Sequence, residues 1–447
     1  MINITPLEAW IRERTHIGHN RTDKLFAQAL AAYQLQRVNQ TIEYARSNVP
    51  FYSRHLASYP TTPLSELSDI SRIPFTTASN IIENPYSFSA VRQDDIARIV
   101  TLRTSGSTGE AKRLFFTEAD LELTVDFFHH GMSTLVRPGQ SVAILLPGES
   151  PDSVGNLLLR GLRRMDVRAL VYGPVADPSH AAEAIASFGA HCLVGIPTQV
   201  LAVAKSLAGS KIGKGGIESV LLSTDYVPQA IAKTLEEAWG CRVFTHYGMT
   251  EMGLGGGVEC EALDGYHLRE GDLYFEVVDR ETGEICPDGV IGEVVFTTLT
   301  RSGMPLIRYK TGDIARFIYH PCSCGSALRR MERVRGRWDG VIRLGPECSL
   351  TLPDMDEALF LLPDLLDYRV TVSTGSDKKF HLQFDVLMAE GGNQTDRKVI
   401  DRLCEVGAIR KALADEIIET PRVRFSEDGR WTTTGVSKRK IIWAGSG

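Results

Sequence analysis

Residues 219–251 read SVLLSTDYVPQAIAKTLEEAWGCRVFTHYGMTE. A short β-branched run, SVLLSTD, is followed by a segment whose apolar residues fall at helical spacing with polar residues on the other side, and then by a second β-branched run, CRVFTHYG. Strand, helix and strand in that order is the grammar of a parallel sheet with crossover helices. The same alternation extends upstream through SVAILLPG (141–148), VRALVYGPV (167–175) and AHCLVGIP (190–197), with the amphipathic DSVGNLLLRGLRRM (152–165) among them. The spacing predicts an α/β layer of parallel-type strands with covering helices. Beyond residue 270 the pattern changes to strands and turns without intervening helices. In DLYFEVVDRETGEICPDGVIGEVVFTTLT (272–300) the Thr-Gly and Asp-Gly pairs mark turns, which predicts a smaller antiparallel or barrel-like piece. From about residue 340 the text is mixed: DMDEALFLLPDLL (354–366) reads as helix and YRVTVSTGSDKKFHLQFDVL (368–387) as a hairpin, so a small α+β domain is expected at the C-terminal end.

Composition limits what such a fold can do. The chain has 447 residues, 43% of them hydrophobic and 23% charged, enough apolar material for a sizeable core and more than one domain. A formal net charge of -6 without long basic runs argues against a nucleic acid partner. The first residues, MINITPLEAWIRERTHIGHN, alternate apolar and charged side chains too often for a secretory core, and no run approaches the roughly 20 apolar residues of a spanning helix. A cytoplasmic protein with no membrane partner is expected. Eight cysteines are too sparse for a disulfide scaffold in a chain this long, which favours thiol or metal roles.

Residues 104–112, TSGSTGEAK, contain two glycines that permit close backbone approach, hydroxyls at Thr104, Ser105, Ser107 and Thr108, and a cation at Lys112. These groups suit flexible contacts to anionic oxygens. The Walker template fails, since Ala111, Lys112 and Arg113 stand where it needs Gly-Lys-Ser/Thr. Taken alone the stretch reads as a solvated loop. Three further stretches change its weight: THYGMTE (245–251), YKTGD (309–313) and GRWDG (336–340).

In this order and at these separations the four stretches resemble the adenylate-forming superfamily of acyl-CoA synthetases, adenylation domains and luciferases. YARSNVPFYSRHL (44–56), IPFTTASNIIENPYSFSAV (73–91), VECEALDGYHL (258–268) and GEVVFTTLTRSGMPLIRYKTGD (292–313) further resemble the phenylacetate-CoA ligase family, so the likeness covers nearly the whole chain. The resemblance implies a large adenylation domain over 1–336, a hinge at 337–340 and a small mobile domain over 341–447. It also implies roles for particular residues. Thr104, Ser105, Gly106, Ser107, Thr108, Gly109 and Lys112 would grip the β- and γ-phosphates of ATP, with Ala111 where the family carries proline. Tyr247 and Gly248 would hold adenine, Thr250 the α-phosphate and Glu251 a magnesium ion. Asp313 would accept the ribose hydroxyls, Asp225 would lie near adenine, Arg337 would contact nucleotide and Asp339 would be the hinge. TTTGVSKRKII (432–442) resembles the terminal lysine motif, with Lys438 as the adenylation lysine and Lys440 as its alternative.

The function this resemblance implies is activation of a carboxylic acid by ATP to an acyl-adenylate, with release of pyrophosphate, and transfer to a thiol, coenzyme A in the first instance. Transfer to an amine, or a non-catalytic nucleotide-binding protein of the same fold, stays open. Phe127 and Phe128 in DFFHHG (126–131), with His246, are candidates to line a pocket for an aryl or other apolar acid. The family also implies a possible homodimer. A second site is suggested by Cys260, His267, Cys322 and Cys324: soft thiolates and an imidazole are a preferred set for zinc, and the same residues recur in relatives as a structural site. His320 is a possible substitute ligand.

Overall fold

A computed structural model describes residues 5–18, 23–103, 111–345, 348–375, 379–389, 395–426 and 439–446. Contacts divide the chain into two compact units, one of residues 138–150, 167–245 and 335–447, the other of residues 1–137, 151–166 and 246–334.

In the first unit the strands lie in the order Arg168–Val171, Ser141–Ile144, Cys192–Gly195, Ser219–Leu222 and Arg242–Tyr247, all parallel. The three central strands are buried along their whole length. This is why they read as continuous apolar runs, not as alternating ones. The helices Pro178–Phe188 and Gln229–Trp239 follow the strands Arg168–Val171 and Ser219–Leu222. The Asp177 carboxylate starts the first of these by accepting the amides of Ser179 and His180 at 2.9 and 3.0 Å, and Gly189 ends it in a left-handed conformation that glycine adopts without strain. The C-terminal part of this unit pairs Leu365–Thr374 with Phe380–Met388 as the expected hairpin. Arg422–Phe425 and Ile442–Ser446 add parallel strands on either side. Of the helix expected over 354–366 only the first part forms, within Leu352–Leu359, capped at both ends of its first turn by Thr351 and Asp354, whereas Leu365 and Leu366 begin the strand Leu365–Thr374.

The second unit carries the long helix Asp23–Asn48, the helices Glu118–Met132 and Val154–Arg163, and most of the antiparallel strands. Leu273–Val278, Gly292–Thr298 and Tyr309–Ala315 form a meander. The barrel-like piece expected from the sequence is instead an open sheet among the described residues. At the start of Tyr309–Ala315, Thr76 makes a single bridge: its amide donates to Arg308 O at 3.0 Å and its carbonyl accepts Lys310 N at 2.9 Å. The end of Arg242–Tyr247 pairs antiparallel with Gly257–Glu259, followed in order by Tyr266–Leu268, Arg330–Met331 and Phe317–Ile318. Among the described residues no helix is long and apolar enough to cross a membrane.

Candidate active site

The second unit brings the turn after Tyr247 against the strand Tyr309–Ala315. Along that strand Tyr309, Thr311 and Asp313 are buried and alternate with half-buried residues, as a period of two requires. Two of these side chains reach the turn. The Tyr247 hydroxyl donates to Asp313 Oδ2 at 2.9 Å, and the Tyr309 hydroxyl donates to Glu251 Oε1 at 3.1 Å. Lys112, on the strand Ala111–Phe116, forms a short ion pair with the same Glu251 oxygen and lies 3.3 Å from the Tyr309 hydroxyl. Burial pushes the Glu251 carboxyl upward, but the Lys112 ammonium and its hydrogen bonds bring it below the ordinary carboxylate value. Gly248 has no room for a side chain: a Cβ there would lie 2.5 Å from Leu254 O and 2.8 Å from the His246 ring. Thr250 opens the 3-10 turn Thr250–Met252 that carries Glu251. Tyr309 was not singled out by sequence. The signal was there, because it stands four residues before Asp313 and so shares its face of the strand.

Next to this turn, the helix Glu118–Met132 is started by a reciprocal pair, Thr117 and Asp120. It presents Phe127 and Phe128 to His246, with ring centroids 5.9 and 6.5 Å apart. The three expected pocket residues are therefore neighbours. His246 is half-buried with its Nε2 shielded from solvent, and burial lowers its imidazole to about 4, so it is a neutral group at physiological pH. A Cβ at Gly255 would meet the Phe127 ring at 2.2 Å, so glycine is what lets the turn lie flat on that ring.

Asp225, Arg337 and Asp339 lie in the other unit. Arg337 pairs with Asp339 at 3.0 Å. Asp225 accepts Arg439 Nε at 3.1 Å; the same guanidinium makes a bidentate pair with Asp356 at 2.7 and 2.9 Å. Three carboxylates, including Asp367 at 3.5 Å, hold Arg439 charged despite its burial. In this structure Asp225 is thus committed to an arginine that sequence reasoning did not single out. Thr104, Ser105, Gly106, Ser107, Thr108, Gly109 and Lys438 lie outside the described residues. Lys440 is described and exposed.

Cys260, His267, Cys322 and Cys324 converge, with all four donor atoms within 4.8 Å of one another. Cys260 follows the strand Gly257–Glu259, His267 lies in Tyr266–Leu268, and the other two come from the loop after Phe317–Ile318. The sulfurs of Cys260 and Cys322 are 3.6 Å apart and Cys324 Sγ is 3.3 Å from His267 Nε2. Two thiolates on a tetrahedral zinc are separated by about 3.8 Å, so the donor set and its spacing fit that ion. His320 is turned to Arg330 and stands outside the cluster.

An AMP-binding enzyme family model matches residues 23–300. The chain is similar to a phenylacetate-coenzyme A ligase of Thermus thermophilus, 30% identical over 70% of this chain and 71% of that one. It is also similar to one of Escherichia coli, 27% identical over 70% and 72%. Among solved structures, a 2-hydroxyisobutyryl-CoA ligase in the postadenylation state has the same fold, with a TM-score of 0.74 at 20% identity over 92% of this chain and 89% of that one. The chain belongs to the AMP-binding enzyme family, in its adenylate-forming, phenylacetate-CoA ligase-like branch.

Proposed function

We propose that the protein is an AMP-forming acid–thiol ligase that activates a carboxylic acid with ATP and passes the acyl group to coenzyme A. A carboxylate is a poor acyl donor, because its leaving group would be oxide. When a carboxylate oxygen attacks the α-phosphorus, the α–β anhydride bond breaks and pyrophosphate leaves; the resulting acyl-adenylate then has AMP as its leaving group. The thiol displaces that AMP in turn. The observation that carries this reading is the hydrogen-bonded set on one strand and one turn: Tyr247 with Asp313, and Lys112 and Tyr309 with Glu251.

Negative charge accumulates on oxygen during the displacement, so these residues act by position and electrostatics. Lys112 exchanges Glu251 for phosphate oxygens when nucleotide binds. Glu251 then holds magnesium, which when bound neutralises phosphate charge. Asp313 takes the ribose, Tyr247 and Gly248 take adenine, and Thr250 meets the α-phosphate. Phe127, Phe128 and neutral His246 form a dry wall for an aryl or other apolar acid, and exclude the water that would hydrolyse the mixed anhydride. Lys438, or Lys440, supplies the second cation. The segment 341–447 turns about Asp339 between the two half-reactions, and Arg337 touches nucleotide.

Cys260, His267, Cys322 and Cys324 hold a structural zinc that ties two loops of the antiparallel strands together. Metal analysis of the purified protein is expected to give one zinc per chain, and none in a Cys322→Ser, Cys324→Ser variant. For the reaction, isotope exchange between pyrophosphate and ATP is expected only when an acid such as phenylacetate or benzoate is supplied. Coenzyme A is then expected to give the thioester. No exchange with any acid of an aryl and short-chain panel would refute the reading, and amide formation with added amines in place of thioester would move the acceptor.

A further inference from the structure

Arg301 follows the strand Gly292–Thr298 and turns inward beneath Glu251. Its Nη1 donates to the Glu251 carbonyl, and its guanidinium lies over Phe116, with the central carbon 4.2 Å from the ring centroid. The other edge is different. Nε and Nη2 are out of contact with solvent and have no hydrogen-bond partner among the described residues. Arg301 also lines a small cleft, about 20 Å³, with Phe116, Thr124, Met252 and Gly253.

Buried arginine donors are expected to be paired, and burial works against this one's charge. The carboxylates in the cleft wall are already engaged. Asp120 accepts the amides of Thr117, Ser302 and Gly303 at 2.9 to 3.0 Å together with the Ser302 hydroxyl at 3.3 Å. Asp272 takes Arg269 at 2.8 Å, Arg14 at 2.9 Å and the Thr300 hydroxyl at 2.7 Å. Glu251 directs its carboxylate to Lys112 and Tyr309 and offers Arg301 its backbone only. Propping up the Glu251 carbonyl would need one donor, which lysine or glutamine also has. It leaves the Nε–Nη2 edge unexplained. Two parallel N–H groups on a planar cation are the geometry that receives an oxyanion side-on.

We propose that Arg301 is a further substrate-binding residue, whose Nε–Nη2 edge takes the carboxylate of the acid while Lys112 serves the nucleotide on the other side of Glu251. The proposal rests on the acid-activation reading above. Thr124, which lines the same cleft, lies on the helix that carries Phe127 and Phe128 three and four residues on. A phosphate oxygen offers the same chemistry as a carboxylate. The position of Lys112, bonded to the side chain and not to the backbone of Glu251, favours the carboxylate for Arg301.

The test is pyrophosphate exchange by Arg301→Gln and Arg301→Lys, with the acid that wild type turns over fastest. Arg301→Gln is expected to raise the KM for the acid by about 10- to 100-fold, the scale of a hydrogen-bonded charge, with the KM for ATP within about twofold. Arg301→Lys keeps charge but not the fork and is expected to fall between. If the KM for ATP rises and that for the acid does not, the edge belongs to the triphosphate and the carboxylate assignment is overturned. Unchanged values for both, with a lowered Tm, would make Arg301 a structural prop and also overturn it. Equilibrium titration of wild type and Arg301→Lys with the same acid, without ATP, decides the matter if Arg301→Gln does not fold. Intact exchange with an unmoved acid KM removes only Arg301; wild type that neither binds nor exchanges any acid removes the functional reading and this proposal together.

Discussion

Arg308 and Tyr309 are neighbours in sequence, yet the ion pairs they serve are built differently. Arg308 and Glu276 are 1% and 0% exposed, and every nitrogen of the guanidinium is engaged: Nε and Nη2 on Glu276 at 3.1 and 2.8 Å, Nη1 on the carbonyls of Ser71 and Ile73 at 2.9 and 2.8 Å. Phe75 covers it, 4.1 Å from ring centroid to guanidinium. One step along the strand, Tyr309 faces Glu251, whose cation is Lys112, a flexible point charge that retains 13% exposure. The first pair is closed on all sides and joins the segment before Thr76 to the meander. The second is a carboxylate and an ammonium that satisfy each other and can be drawn apart by a stronger pair of partners. Complete satisfaction marks structure; a pair that a ligand can exchange marks a site.

Arg308→Met is the most severe test of that contrast. It leaves Glu276 buried without its cation, a change that costs about 3–5 kcal/mol. The variant is expected to lose many degrees of Tm, while whatever remains folded keeps its acid-dependent exchange. Glu251→Gln should do the opposite. Exchange is expected to fall on the order of 10²–10³-fold, the scale for removing one preorganised electrostatic group, with Tm lowered by at most a few degrees, because Lys112 can reach solvent. Equal losses of stability from both substitutions would dissolve the distinction between the two pairs.

How far the sequence carried depends on whether the deciding contacts are local. The parallel strands were legible because strands buried on both faces are continuous apolar runs, as in SVAI and SVLL. The cysteine and histidine cluster was legible because its residue types are rare and chemically specific, although three separate segments supply them. The bridge between Thr76 and Tyr309 was not, because the two lie more than 200 residues apart and nothing local marks that pairing. The stretch TRSGMPLIRYK holds Arg301, Arg308 and Lys310. Composition cannot say which of these is sealed against a glutamate, which lines a cleft and which, like Lys310 with Glu293 at 3.2 Å, sits half-open. The alternation that exposes Tyr309 beside Asp313 was readable, but the motif draws attention to its aspartate.

The finest test within the site is Tyr247→Phe, which removes one hydroxyl and keeps the ring. Asp313 is 2% exposed and, in this structure, Tyr247 Oη is one of its hydrogen-bond donors, with Thr311 Oγ1 accepting the Asp313 amide at 3.0 Å to fix the backbone beneath it. A hydrogen bond of this kind contributes about 0.5–1.5 kcal/mol. If Asp313 receives the ribose, the hydroxyl holds its carboxylate in the receiving rotamer. The phenylalanine variant is then expected to raise the KM for ATP by about two- to tenfold and to leave the KM for the acid unchanged. Ring stacking on Tyr266, at 5.8 Å between centroids, survives the substitution, so the fold of the turn is not at stake. A shift in the acid KM instead would place Asp313 on the acid's side of the site, and would join to the pocket what the strand Tyr309–Ala315 otherwise assigns to the nucleotide.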